Sequence, residues 1–254
     1  MNSSCLCFRY YNIGIKPTGM QMEQEIKEYL LSLADENTAE QTKKFFKTGK
    51  GEYSYGDRFL GIKMGKLRET AKRFSEVEPE VSEKLLQSEF HEIRLFSLVL
   101  LTNLYKRGDR TTKNQIFDIY LNNTRQINNW DLVDVSAHHI VGTHLFEKDT
   151  SVLFKLSRSE NMWERRISII STLYFIKKNR FKETLMISEA LIEDEQDLMH
   201  KATGWMLREV GKMDMDAERK FLLKHYKKMP RTMLRYAIER FDETERVGFL
   251  KGRF

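Results

Sequence analysis

The sequence predicts an all-α protein in which antiparallel pairs of helices stack side by side. Only three prolines occur among 254 residues, at Pro17, Pro79 and Pro230. So few helix breakers over so long a chain favour helices joined by short turns. Apolar residues also recur at helical spacing, as Ile26 and Leu30 do near the start of the pattern. A chain of this length can bury a continuous core.

The first 20 residues differ from the rest, because they lack helical periodicity and the apolar core of a secretory signal. Both cysteines of the chain, Cys5 and Cys7, lie in this segment. Nothing therefore indicates a disulfide framework, and a reducing cytoplasm fits the composition. We expect residues 1–20 to be a disordered leader and residues 21–254 to form a single helical-repeat domain.

From Met22 onward one helical pattern follows another. The second helix ends near Phe46, and residues 47–57 (KTGKGEYSYGD) form a loop rich in Gly and Tyr. Further helices are predicted over residues 66–74, 80–88, 91–106, 111–123, 130–146, 149–157, 162–178, 181–193, 196–212, 215–227 and 231–241. This rhythm indicates an α-solenoid of HEAT type, whose concave face is the usual binding surface. No repeat motif recurs strictly, so a plain helical bundle is the alternative.

The distribution of charge points to an anionic partner. The net charge is +6, and residues 201–254 contain 14 Lys and Arg against 8 Asp and Glu, so 14 − 8 accounts for the whole excess. A basic end on a neutral body suits nucleic acid and predicts a basic concave groove. An ordinary solvated basic surface is the alternative. No apolar run is long enough to cross a bilayer.

Three segments combine a tryptophan with charged residues. In the first, INNWDLVDVSAHHIVG, Trp130 and Asp134 are four positions apart and share a helical face. Asp131 lies near the first turn, where a carboxylate complements the helix dipole. No such capping role is available to Asp134, so this carboxylate beside an indole is a candidate functional group. The alternative is that Asp134 bonds a neighbouring helix end or an arginine.

The second segment is NMWERRISIISTLYFI, residues 161–176. Trp163 and Arg166 are helical neighbours, whereas Arg165 points in another direction. An arginine can hold a phosphate through two parallel hydrogen bonds, so one of the two can face a nucleic acid. The alternative is a surface ion pair with Glu164 or another neighbour.

The third segment, HKATGWMLREVGK, carries a stripe of cations interrupted by an indole. Lys201, Trp205, Arg208 and Lys212 follow one another at intervals of four, three and four residues. Such a stripe suits the phosphate backbone of DNA. Gly204 removes a side chain beside Trp205, which allows another backbone or a ligand to approach closely. The alternative is a solvated face with a partly buried tryptophan.

Other candidate sites are weaker. The neighbouring His138 and His139 diverge on a regular helix, so they predict no metal site. No Gly-rich phosphate loop or nucleophile elbow occurs. Arg231 and Arg235 either extend a phosphate track or pair with acids such as Glu239.

Several segments resemble, in the same order, the successive signatures of the AlkD-type DNA alkylation repair family. They are FLGIK, NNWDLVD, WERR, HKATGWMLREVGK and MPRTMLRYAIE, within about residues 40–250. The resemblance implies a HEAT-like solenoid that holds duplex DNA in its concave groove and hydrolyses the glycosidic bond of N3- and N7-alkylated purines. It also implies that Asp134 is the catalytic carboxylate, that Trp130 and Trp205 are groove tryptophans and that Arg166 is the groove arginine.

The resemblance further implies catalysis without a base-flipping pocket, a metal or a cofactor. We therefore expect a monomeric, cytoplasmic alkylpurine DNA N-glycosylase whose partner is double-stranded DNA, with Lys201, Arg208 and Lys212 as further DNA contacts. The chain departs from better-known members in its longer loop at 47–57 and in Asn129, where some members have an aromatic residue. The alternatives are a non-catalytic binder of branched or damaged DNA and, last, a protein scaffold, which would need an apolar groove.

Overall fold

The computed structural model describes residues 18–254, and within this range the backbone is helical, without any β-sheet. The predicted all-α fold is confirmed. Most of the expected leader lies outside the described residues. Its last positions belong to the first helix, because the Thr18 side chain accepts a hydrogen bond from the Gln21 amide and caps a helix that starts at Gly19.

The described chain forms two compact units that divide between Leu132 and Val133, and the expectation of a single domain over residues 21–254 stays a prediction. The helices of the first unit are α1 (Gly19–Leu31), α2 (Glu36–Phe45), α3 (Met64–Arg73), α4 (Pro79–Leu86), α5 (His91–Arg107) and α6 (Arg110–Asn122). Helix α5 packs against α3, α4 and α6, and α1 packs against α4. The division falls within α7 (Trp130–Ala137).

The second unit continues from α7 through a π-helical turn, His138–Gly142, to the end of the chain. Its helices are α8 (Thr143–Leu145), α9 (Ser151–Leu156), α10 (Met162–Ser171), α11 (Leu173–Ile176), α12 (Lys182–Ala190), α13 (Asp197–Met213), α14 (Met215–His225), α15 (Arg231–Ala237) and α16 (Glu243–Leu250). Helix α13 packs against α10, α14 and α15. No helix among residues 18–254 is long and apolar enough to span a membrane.

The helix boundaries match the predicted ones within a few residues, with three differences. The helix expected over 130–146 contains the π-helical turn, and the one expected over 162–178 is interrupted after Ser171. The two interruptions lie next to each other, at Gly142 and Ser171. A Cβ on Gly142 would lie only 2.2 Å from the Ser171 carbonyl oxygen, so the two helices approach backbone to backbone here. Helix α16 was not predicted, although Asp242 accepts a hydrogen bond from the Glu245 amide and caps its start.

The FLGIK segment owes its form to one glycine and one buried acid. Gly61 has a φ of +78°, and a Cβ there would lie 2.3 Å from the Asp35 carbonyl oxygen. The buried Glu92 carboxylate accepts hydrogen bonds from the Leu60 and Gly61 amides, each at 2.8 Å. These contacts fix the segment against the start of α2 and explain why a glycine is needed there.

A local repeat relates two helix pairs, α4–α5 and α9–α10. Residues 88–97 (SEFHEIRLFS) and 159–168 (SENMWERRIS) are identical at four of ten positions, and their first residues are 159 − 88 = 71 apart. In each copy the first serine accepts a hydrogen bond from the amide two residues later. The shared arginine donates to the carbonyls of the first two residues, and the last serine donates to a carbonyl 15 residues earlier. The chain is thus a helical repeat protein whose repetition lies more in hydrogen bonds than in residue identity.

Candidate functional site

Helix α7 carries two of the predicted site residues, and buried polar groups fix its start. The Asn129 side-chain oxygen accepts a hydrogen bond from the Trp130 amide at 2.8 Å, and its nitrogen donates to Ser54 Oγ at 2.6 Å. Asn129 is completely buried. Asp131 lies in the first turn, where its charge complements the helix dipole and its Oδ1 accepts a hydrogen bond from the Leu132 amide at 2.9 Å.

Asp134, one turn further along α7, pairs with Arg166 of α10. Arg166 Nε lies 3.0 Å from Asp134 Oδ1, and Nη2 lies 2.9 Å from Oδ2. Two parallel hydrogen bonds fix the plane of the carboxylate as well as its position. The Arg166 side chain is 6% exposed, but that of Asp134 is 18% exposed. The structure thus brings two of the predicted residues together and leaves the acid partly accessible.

The remaining terminal nitrogen of Arg166, Nη1, donates to the Leu198 carbonyl oxygen at 2.7 Å. Leu198 lies in the first turn of α13, the helix that carries Trp205. All three guanidinium nitrogens therefore contact protein, and a phosphate could bind Arg166 only by replacing or sharing one of these partners. The sequence-based role of Arg166 as a phosphate contact stays a prediction, and the geometry adds a role in orienting Asp134.

Trp130 lies half-buried in an aromatic cluster of the first unit. Its ring stacks on Phe46, with centroids 5.3 Å apart and planes at 24°, and the edge of Phe45 meets it at 6.0 Å. Phe46 stacks in turn on Phe59 at 5.4 Å. One side of the indole is thus held by core residues, which fixes its orientation for any ligand on the accessible side.

Beneath Trp130 lies a buried charged cluster that the sequence analysis missed. His91 Nε2 lies 2.8 Å from Asp131 Oδ2 and its Nδ1 lies 3.6 Å from Asp57 Oδ2, while Arg94 Nη2 donates to Asp57 Oδ1 at 2.8 Å. The imidazole also stacks against Phe46 and Phe59. No spacing signal connects these residues, since they come from a loop, α5 and α7.

Electrostatics keep this cluster charged although it is buried. Burial opposes protonation of His91, but its contacts with Asp131 and Asp57 outweigh burial and raise the pKa of the imidazole to about 9. Burial also opposes ionisation of Asp57, yet His91 and Arg94 outweigh it and lower the pKa of that carboxyl. Near neutral pH, His91 is therefore a cation shared by two aspartates.

The stripe on α13 has the predicted helical spacing, but acids accompany all its cations. Lys201 pairs with Asp197 at 2.7 Å, Lys212 pairs with Glu209 at 2.6 Å, and Arg208 pairs with Glu239. The half-buried Trp205 donates from Nε1 to Glu209 Oε1 at 3.0 Å. The stripe is thus an ion-pair network rather than a row of free cations, and any phosphate must compete with these carboxylates.

Two further contacts define α13. A Cβ on Gly204 would lie 2.4 Å from the Met233 carbonyl oxygen, so the close neighbour expected at this glycine is the backbone of α15. Gly211 leaves room for the fully buried Glu218 carboxyl, whose oxygens have no hydrogen-bond partner among the described residues. Burial raises the pKa of Glu218 to about 9, with Arg208 and Arg219 acting in the opposite direction.

The neighbouring histidines behave differently from the prediction. The rings of His138 and His139 do not diverge, because their centroids lie 3.8 Å apart. These residues begin the π-helical turn, which changes the angle between successive side chains. Within residues 18–254, no group of three or more His, Cys, Asp or Glu side chains is arranged to hold a metal ion.

Arg231, which the sequence offered for a phosphate track or an ion pair, donates to the Leu250 carbonyl oxygen.

Comparison with known proteins shows the family and the fold of the chain. The family model described as DNA alkylation repair enzyme matches residues 26–241. A solved structure of a predicted DNA alkylation repair enzyme from Enterococcus faecalis has a TM-score of 0.64 and 16% identity, over 83% of this chain and 97% of that chain. AlkD2 from Streptococcus mutans has a TM-score of 0.52 and 18% identity, over 82% of this chain and 99% of that chain. No curated protein matches the sequence.

Proposed function

Because this chain belongs to the DNA alkylation repair enzyme family, we propose that it is an alkylpurine DNA glycosylase in which Asp134 is the catalytic carboxylate. The reaction is hydrolysis of the N-glycosidic bond of N3- or N7-alkylated purines in duplex DNA. The observation that carries the proposal is the Asp134–Arg166 pair, in which a partly exposed carboxylate is held in one orientation.

The chemistry suits a single oriented carboxylate. An alkylated purine carries a positive charge that departure of the base neutralises, so the leaving group needs little help. The main barrier is the developing oxocarbenium cation on the deoxyribose. A fixed carboxylate stabilises that cation and positions the attacking water without reorganising during the reaction.

Arg166 acts in this mechanism as a positioning residue. Its two hydrogen bonds to Asp134 set the carboxylate plane, and its third to the Leu198 carbonyl connects that setting to α13. When DNA binds, a phosphate could share the guanidinium. Sharing through the second N–H of Nη1 would draw the scissile nucleotide towards Asp134 and leave both hydrogen bonds to the carboxylate in place.

The proposal also gives roles to the two indoles and to the cations of α13. Trp130 lies on the same face of α7 as Asp134, one turn before it. Trp205 lies two turns after Leu198 on α13. Each indole face can attract the forming sugar cation by about 0.5–2 kcal/mol. Lys201, Arg208 and Lys212 would contact phosphates after exchanging their carboxylate partners, which predicts salt-sensitive binding.

A second candidate function is a non-catalytic binder of damaged or branched DNA. One observation favours it: the charge of Asp134 is already matched by a buried arginine, as in an ion pair that serves only the fold. A protein with this second function would bind DNA through the same cations but would not release a base.

The experiment that tests the proposal measures free base released from a duplex with one N7-methylguanine, under single-turnover conditions and against spontaneous loss. We expect Asp134→Asn to reduce release by about 100- to 1,000-fold. The matched control is Asp194→Asn, because Arg165 holds Asp194 in an equivalent bidentate contact. The control should remain within about twofold of the wild type if the effect is chemical rather than structural.

DNA affinity measured in parallel separates the two functions. Base release by the wild type and the control, but not by Asp134→Asn, would support the glycosylase. DNA binding by all three proteins without any base release would support the non-catalytic binder. Equal release by the wild type and Asp134→Asn would remove the aspartate from the mechanism.

A further inference from the structure

Phe45, at the end of α2, is an exposed aromatic residue next to Trp130. Its side chain is 66% exposed, whereas the following Phe46 is 8% exposed and stacks under the indole. The Phe45 edge meets Trp130 with ring centroids 6.0 Å apart and planes at 68°. Phe45 therefore extends the aromatic surface of Trp130 into solvent, and one of its faces is open to a flat ligand.

Three lysines surround this aromatic residue in the sequence. Lys44, Lys47 and Lys50 are exposed, and none of them forms a salt bridge among the described residues, although Glu40 attracts Lys44 across one helical turn. They differ in this respect from Lys43, which pairs with Glu40 at 2.5 Å, and from the cations of α13. Three unpaired cations within seven positions form a local attraction for a polyanion.

The loop that carries Lys47 and Lys50 is held in a defined conformation. The Gly49 amide donates to Glu52 Oε2 at 2.7 Å, which closes a turn around Lys50. Ser54 donates from its amide to the Lys47 carbonyl at 3.3 Å and accepts from buried Asn129 at 2.6 Å. The loop is thereby tied to the residue before Trp130.

We propose that Phe45, Lys44, Lys47 and Lys50 form a nucleotide-binding subsite for an unstacked nucleotide of DNA. The flat face of its base lies on Phe45, and the flanking phosphates lie at the lysines. A flat apolar ring beside cations matches a nucleotide, which offers a π face and a negative backbone at every position. The subsite rests on DNA being the ligand in the proposed function, but it does not require catalysis at Asp134.

The test compares binding of two labelled duplexes by fluorescence anisotropy, one intact and one with a single tetrahydrofuran abasic site opposite an unpaired base. Phe45→Leu keeps an apolar side chain but removes the flat ring. We expect it to weaken binding of the abasic duplex about 5- to 50-fold, and binding of the intact duplex less than twofold. Leu223→Ala, at a residue that is 49% exposed, is the control for loss of a surface apolar group.

The lysines are tested by the triple substitution Lys44→Gln, Lys47→Gln and Lys50→Gln. We expect the slope of log affinity against log salt to become shallower by about 2 to 3 for both duplexes. The control replaces Lys72, Lys84 and Lys106 with Gln, which are exposed lysines of the same unit that also pair with no acid among the described residues. Helical circular dichroism of all variants checks that they fold.

The outcomes separate the subsite from the proposed function. If Phe45→Leu binds both duplexes as the wild type does, or weakens both equally, the stacking contact is wrong. If the lysine triple variant keeps the wild-type salt slope, the phosphate contacts are wrong. If the wild type releases N7-methylguanine and both variants bind DNA normally, only the subsite proposal is wrong. If the wild type releases no base but both variants show the expected losses of binding, the subsite proposal holds and the glycosylase proposal is wrong.

Discussion

Residues 88–97 and 159–168 share one set of backbone contacts, but only the second copy contributes to the candidate site. Arg94 and Arg165 hold equivalent carbonyls, and both also bind an aspartate from another loop, Asp57 and Asp194 respectively. The two segments differ at the side chains between these shared contacts. The repeat therefore supplies the scaffold, and substitution within it supplies the chemistry.

Two positions carry the difference. The residue after the shared arginine is the buried Leu95 in the first copy and Arg166 in the second, and only the arginine can hold Asp134. Three residues before the shared arginine, the first copy has His91 and the second has Met162. The histidine forms a buried cation within the first unit. Each copy thus contributes an additional ionic contact within its own unit, His91 with Asp131 in the first and Arg166 with Asp134 in the second, from different positions of the same motif.

The largest effect is expected from Arg166→Leu, which gives the second copy the residue of the first. The substitution removes the guanidinium that pairs with Asp134 and that also donates to the Leu198 carbonyl. We expect the free energy of unfolding to fall by about 3 kcal/mol in urea titrations. Base release under single-turnover conditions should fall at least about 100-fold, because the carboxylate loses its fixed orientation.

The double variant Arg166→Leu with Asp134→Asn is the control for the stranded charge. It should recover part of the lost stability but none of the activity. Asp134→Asn alone completes the cycle, and a double variant that loses the sum of the two single effects would mean that the pair is not energetically coupled and that the positioning role is wrong.

The second-largest effect is expected from His91→Met, which gives the first copy the residue that the second copy has at the equivalent position, Met162. The folded pKa of His91, about 9, lies above the ordinary value of 6.5. Its stabilisation is therefore fully present below pH 6.5 and is lost as the pH rises through about 9. We expect His91→Met to cost about 2–3 kcal/mol at pH 6 and progressively less towards pH 9, measured by urea unfolding.

The groups that face His91 are Asp57, Asp131 and Arg94. Glu218 also has a pKa raised to about 9 by burial, but it titrates in both proteins, so the difference between them isolates His91. A constant difference between the wild type and the variant from pH 6 to pH 9 would contradict the charged state of the imidazole.

The sequence predicted the helices because their apolar spacing is local, and it selected Asp134 because of the indole one turn away. It also left open that Asp134 bonds an arginine, which is the contact the structure contains. The identity of that arginine could not be deduced from spacing, since 32 residues and several helices separate the pair. Family resemblance selected Arg166, but for a phosphate and not for Asp134.

The net charge of a segment does not show which of its cations are free to bind a ligand. The excess of Lys and Arg after residue 200 suggested an anionic partner, but local pairing decides which cations are available to it. The partners of Lys201 and Lys212 lie four and three residues away and were visible in the sequence, whereas Glu239, the partner of Arg208, comes from another element. The repeat was hidden because Ser, Glu, Arg and Ser are common surface residues, and only their hydrogen bonds reveal the equivalence.

The smallest effect, and the most direct test of that equivalence, comes from the last serine of each copy. Ser97 and Ser168 are completely buried, and each donates from Oγ to a carbonyl, at 2.5 Å and 2.7 Å. We expect Ser97→Ala and Ser168→Ala each to lower the free energy of unfolding by about 1 kcal/mol, with base release within about twofold of the wild type. Because the serines share no partner, the double variant should lose the sum of the two effects. Costs that differ by more than about 1 kcal/mol would mean that the copies share geometry but not energetics, since burial and bonding are matched in the two.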